Sequence, residues 1–120
     1  MTLQEIADHC LALPGAELSI KWGDDHCYTV GEKMFAAHGV SSDAISFKCT
    51  PDAFEMLTES GAAEPAKYLA RAKWVTAKLG AMPKEELAAR LTAAYGVVRS
   101  SLTKKLQATL PPFDPAAPAA

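Results

Sequence analysis

A chain of 120 residues and 12.7 kDa, 49% apolar and 22% charged, has the size and balance of one soluble domain able to bury a single core without disulfides or metal. No apolar run approaches the roughly 18 residues of a membrane span, and the opening MTLQEIADHCLALPG, with no basic lead and interrupted by Glu5, Asp8 and His9, does not read as a secretion signal. The net charge of −2 is uneven: three lysines against eleven acids leave −8 over residues 1–66, and nine basic residues against two acids leave +7 over residues 67–110, while a pI near 5.9 sets the chain apart from domains given over to nucleic acid, for which about 9 is usual.

Leu3, Ile6, Ala7, Cys10 and Leu11 recur at helical spacing behind Thr2, a residue able to cap a helix, and Pro14 and Gly15 end the pattern. Glu17 to Trp22 alternates, predicting a strand with Leu18, Ile20 and Trp22 inward. Cys27 to Val30 and Lys33 to His38 predict two more strands, joined through Gly31 and Glu32 in a tight hairpin. Ala44 to Cys49 predicts a fourth, with Ile45, Phe47 and Cys49 inward and Ser46 and Lys48 outward. Thr50-Pro51-Asp52 combines a hydroxyl cap, a proline at the first helical position and an acid favoured by the helix dipole, so a helix is expected to about Glu59, burying Phe54 and Leu57.

Gly61 to Pro65 reads as a small-residue loop and Lys73 to Leu79 as a strand. Pro83 opens the last helix, whose stripe Leu87, Leu91, Ala94, Tyr95, Val98 and Leu102 is the clearest period in the chain. From Pro111 the segment PPFDPAAPAA reads as a disordered tail, which leaves one domain over residues 1–110. The order implies an α+β fold: an antiparallel sheet of about five strands, helices packed on one face and the other face open.

The run Asp24, Asp25, His26, Cys27 brings four chemically capable groups together in sequence, yet zinc sites draw their ligands from spaced clusters. His9, His38, Cys10 and Cys49 supply no such spacing, and Gly23-Asp24-Asp25 has turn composition, so the stretch reads as a hairpin connection and not as a metal site. Three cysteines without a CxxC pair fit a reducing cytoplasm, and none has a neighbouring signature of a nucleophile. Cys49 reads as a small core residue, His9 as helix surface and His38 as a strand end. No glycine-rich phosphate loop or other cofactor motif is present, and no catalytic residue is expected.

The stretches LPGAE (13–17), KW (21–22), VGEKMFA (30–36), SFKC followed by Pro51 (46–49), PAKYLARAKWV (65–75) and EELAARLTAAY (85–95) together resemble the MmcQ/YjbR family, in order and spacing, from about Ile6 to Leu102. The resemblance implies an α+β domain of frataxin-like (CyaY-like) shape and DNA binding through a double-wing arrangement of strands. In this chain the wing candidates are the hairpin around Gly31 and the segment leading into Lys73 to Leu79. A frataxin-like shape also raises iron binding on acids of the first helix. Glu5 and Asp8 offer at most one weak hard-cation contact and read as a solvated face.

The functional candidates are the basic and aromatic residues Lys67, Tyr68, Arg71, Lys73, Trp74 and Lys78, since cations that neutralise phosphates interleaved with rings that stack on bases make a nucleic-acid surface. Period-two geometry puts Trp74, Thr76 and Lys78 on one strand face and Lys73, Val75 and Ala77 on the other, so only one set can join an open sheet face. The expectation is a small cytoplasmic, non-enzymatic domain that binds DNA weakly through backbone phosphates. The alternative is a protein-interaction module using the open sheet face; no membrane partner is expected.

Overall fold

The computed structural model describes residues 1–21 and 23–114; the expected inward position of Trp22 and the end of the expected tail lie outside the described residues. Helix α1 (Leu3–Leu11) starts with a capping box: the Thr2 hydroxyl accepts from the Glu5 N–H, and the Glu5 carboxylate accepts from the Thr2 N–H at 2.9 Å. Glu5 is more than a solvated acid, because it also pairs with Lys84, and that bond first of all holds its carboxyl down to about 2. His9, expected on the surface, is half-buried with Nε2 2.8 Å from Thr92 Oγ1, so it joins two helices.

Strands β1 (Glu17–Lys21), β2 (Asp25–Val30), β3 (Lys33–Gly39) and β4 (Ala44–Lys48) follow, then α2 (Pro51–Ser60), β5 (Glu64–Pro65) and β6 (Trp74–Lys78). They form one six-stranded antiparallel sheet in the order β1-β2-β3-β4-β6-β5. The extra strand, β5, lies in the segment expected to be a loop; two residues are too few to show alternation. Lys73 is not part of β6: it ends a 3₁₀ turn (Ala70–Ala72) in the left-handed conformation, φ 63°. Thr50 caps α2 as expected, accepting from Ala53, and Gly61 ends it at φ 80°. Helix α3 (Lys84–Ser101) begins one residue later than expected, with Pro83 at the capping position, and a short α4 (Lys104–Gln107) follows under a Thr103 cap.

Residues opposite one another in an antiparallel pair share a face, so the registers sort the sheet. Tyr28, Ala36, Phe47 and Val75 form one row on the side covered by α1 and α3. A bulge between Tyr28 and Thr29 places Phe35 beside Ala36 on that side, which is how two consecutive residues of β3 are both fully buried. Phe35 meets Tyr95 of α3 edge to face at 5.5 Å between centroids. The expected stripe of α3 is buried from Leu87 to Leu102.

Leu18 and Ile20 correct the reading of the first strand. They alternate as expected but are 41% and 53% exposed, because β1 is an edge strand lying beyond the reach of the helices. Phe54 is only half-buried, although Leu57 is buried as expected. Phe113 corrects the tail: its ring packs 4.7 Å from Tyr95 and under Arg99, so packing passes the expected boundary at residue 110.

His38 stands at the end of β3, as expected, and is buried there. Its Nδ1 faces the Gly39 carbonyl at 2.8 Å and therefore carries the proton, leaving Nε2 to accept from the Tyr28 hydroxyl at 2.8 Å. Burial lowers the pKa of both His38 and His9 from 6.5. The unfolded chain thus holds more protons just below that value, and stability declines as pH falls from about 6.5 toward the depressed folded values. Urea midpoints measured from pH 7.5 to 5.5 should fall, and fall less in a His9→Gln, His38→Gln variant. A pH-independent midpoint in that window would show that neither ring is held neutral by the fold.

Candidate nucleic-acid interface

The face turned away from the helices carries Asp25, Ala37, Ser46, Trp74 and Thr76, by the same register. Ser46 Oγ and Thr76 Oγ1 lie 2.8 Å apart across β4 and β6. The segment between β5 and β6 folds beside this face and is tied down by its own backbone: Ala66 N–H donates to the Trp74 carbonyl (2.9 Å), Trp74 N–H to Leu69 (3.2 Å) and Leu69 N–H to Ala66 (3.2 Å). Lys48, outward on β4, donates to the Ala72 carbonyl and fastens the far end. Sheet and segment enclose a groove of about 490 Å³, within the usual range of roughly 300–1,000 Å³ for ligand sites.

Three of the six sequence candidates, Lys67, Tyr68 and Trp74, line this groove. Trp74 is buried in its wall at 5% exposure, whereas Tyr68 stands at its mouth 92% exposed. Tyr68 also has φ 68°, a left-handed backbone unusual for a bulky residue, and Lys67 Nζ sits 5.6 Å from its ring centroid. Arg71 is exposed in the 3₁₀ turn of the same segment.

The other two candidates are drawn elsewhere. Lys73 Nζ lies 5.0 Å from the centroid of Phe54 on α2, and Lys78 is paired with Asp43 at 2.9 Å. Sequence spacing correctly grouped Trp74 with Thr76, but Asp25 and Ser46 join them through strand pairing that no local pattern reveals.

The hairpin at Gly31, one of the wing candidates, has its tip close to the C-terminal helices. A Cβ built there would come 2.6 Å from Leu102 Cδ1 and 3.1 Å from Leu106 Cδ2, so the tip rests against the chain after α3.

The run Asp24 to Cys27 is divided by the strand that begins at Asp25, two residues before its expected start. Asp24 is an exposed turn residue, Asp25 and Cys27 share the open face, and His26 lies on the other side, 5.2 Å from His38 between ring centroids. Among the described residues no group of three His, Cys, Asp or Glu side chains is placed to hold a metal ion. All three cysteines are buried, and burial pushes Cys10 up to about 12 and Cys49 up to about 11, which disfavours the thiolate a nucleophile requires. Among the described residues no helix is long and apolar enough to cross a membrane.

The model of the YjbR family matches residues 11–97, a span that contains every strand and the groove. The uncharacterized protein YjbR of Escherichia coli K12 and its namesake in strain O157:H7 are each 30% identical over 101 residues, covering 79% of this chain and 85% of the relative. The crystal structure of Deinococcus radiodurans protein DR2400, with a DUF419 domain, superposes with a TM-score of 0.82 over 90% of this chain and 86% of its own. At 24% identity, that likeness is one of fold.

Proposed function

The chain belongs to the YjbR family, and from the chemistry of its open sheet face we propose that it is a non-enzymatic cytoplasmic domain that binds nucleic acid weakly, through phosphates. The observation that carries this reading is Tyr68: an aromatic ring exposed to solvent, on a left-handed backbone, beside Lys67 and in the same short segment as Arg71. A left-handed backbone at a bulky residue is strain of the kind that clusters at binding sites. Stacking on a ring and neutralisation by two cations are the elements of single-strand binding. Three free cysteines suit a reducing compartment.

The contacts are few, so the salt dependence is shallow. With Lys67 and Arg71 as the two phosphate contacts, the log-log slope for a single-stranded oligonucleotide should be about −1.4, at about −0.7 for each phosphate. Replacing both by alanine should remove most of the slope. Replacing Lys73 and Lys78, whose charges are engaged with Phe54 and Asp43, should change it little. Fluorescence anisotropy from 25 to 200 mM salt measures this. No binding by the folded protein at the lowest salt, or a slope governed by Lys73 and Lys78, would reject the assignment.

The second reading, a protein-interaction module, is favoured by the exposed Leu18 and Ile20 on the free edge of β1. An edge strand with apolar side chains is a template for pairing with another chain. Such association would persist at high salt, in contrast to phosphate binding.

A further inference from the structure

Resting on the nucleic-acid reading, we propose that the groove holds one unstacked nucleotide with its base inward, and that guanine is the base it fits best. The groove runs across β2, β3, β4 and β6, three strand spacings or roughly 14 Å. Its chemistry changes along that length. At the β2 end stands the carboxylate of Asp25; beside it the small residues Ala37, Gly39 and Ala44 leave room for a flat ring, with Met34 and Leu69 adding apolar lining; Ser46 and Thr76 follow with their paired hydroxyls; Lys67 and Trp74 lie at the β6 side.

This sequence of groups matches a nucleotide laid across the strands. The carboxylate takes N–H donors of the base edge, the small residues take the ring, the hydroxyl pair meets the sugar and Lys67 meets the phosphate. The exposed ring of Tyr68, at the mouth, is free to stack on the base. The Ser46–Thr76 pair shares one of its two hydroxyl protons internally, and the second proton is available to a sugar oxygen.

Asp25 selects the base. A carboxylate only accepts, and guanine alone presents two neighbouring N–H donors, N1 and N2, side by side as the two carboxylate oxygens are. Adenine and cytosine offer one amino donor beside an unprotonated ring nitrogen, which would face the second oxygen lone pair to lone pair. Thymine offers one N–H between two carbonyls. The edge of a paired base is already engaged, so the groove requires an unpaired nucleotide.

The test is a titration of the full chain, followed by amide NMR shifts, with dGMP, dTMP and 2-deoxyribose 5-phosphate. The expected result is binding of dGMP roughly tenfold tighter than dTMP, the scale of one bidentate base contact, with shifts at Asp25, Ala37 and Thr76. Asp25→Asn should erase the preference while leaving the weak binding of the sugar phosphate and the unfolding midpoint in place. Equal binding of dGMP and dTMP, sugar phosphate binding as tightly as dGMP, or a preference that survives Asp25→Asn would each overturn the proposal. If a single-stranded oligonucleotide still binds with the Lys67 and Arg71 salt dependence in those cases, the pocket alone falls; if it does not bind either, the nucleic-acid reading falls with it.

Discussion

Replacing Leu91 by alanine is expected to destabilise the protein by about 2–5 kcal/mol, the range for deleting a buried leucine side chain, and to lower its Tm by roughly 8–20 °C. Leu91 is fully buried in the middle of α3, one turn from Leu87 and Tyr95, which are fully buried as well. Both the transfer of the lost methyl groups and the cavity left behind contribute, because neighbours held by the sheet can collapse only in part. Leu91→Met, close in volume, should cost less than about 1.5 kcal/mol. Leu18→Ala, on the exposed side chain of β1, should fall near the ±0.5 kcal/mol typical of surface changes. Denaturant unfolding of the three variants measures the contrast; equal midpoints for Leu91→Ala and Leu18→Ala would remove α3 from the core.

That contrast shows what periodicity can and cannot tell. Leu87, Leu91, Tyr95 and Leu18, Ile20 all stand at the right spacing for their elements, and spacing reveals which side chains share a face. It does not reveal whether another element covers that face. Coverage of α3 follows from its length and central position against β3 and β4, whereas β1 lies at the sheet edge with its outward neighbour absent among the described residues. The signs at element ends were readable for the same local reason: Thr2, Thr50 and Gly61 act on backbone groups within four residues of themselves. Strand β5 and helix α4 are too short to carry a period of their own.

The candidate site was legible in part. Lys67, Tyr68 and Trp74 are neighbours in sequence and remain neighbours in the groove, so composition located them. Lys73, which period-two geometry already sets on the face opposite Trp74, ends the 3₁₀ turn in a left-handed conformation and lies against Phe54 of α2. Asp25 comes from 49 residues before Trp74 and reaches the groove only through the order β2-β3-β4-β6. The nearest sequence signal for it was the run Asp24 to Cys27, but that signal pointed to a turn; strand alternation separates Asp25 from His26 and gives the carboxylate to the open face.

The hairpin at Gly31 offers the second large effect and decides whether it is a free wing. Gly31 and Glu32 have φ 56° and 69°, as a primed hairpin turn requires at its two central residues. An alanine at Gly31 meets two penalties: about 1–2 kcal/mol for a side chain in the left-handed region, and about 1–3 kcal/mol for forcing a methyl into occupied space. The occupied space is specific. The Cβ would lie 2.6 Å from Leu102 Cδ1, and Leu102 is buried at the end of α3, so it cannot yield without disturbing the core. Gly61, at φ 80° with nothing within 4 Å of its Cβ, supplies the comparison in which only the backbone penalty operates. Gly31→Ala should therefore be more destabilising than Gly61→Ala by the packing part, about 1–3 kcal/mol. Adding Leu106→Ala should recover some of that difference, since Leu106 Cδ2 also lies 3.1 Å from the new methyl and its side chain is 37% exposed. Urea midpoints of the two glycine variants and of the Gly31, Leu106 pair measure the coupling. Equal losses at Gly31 and Gly61, with no recovery on truncating Leu106, would release the hairpin tip from the C-terminal helices and return it to the surface as a wing able to reach DNA.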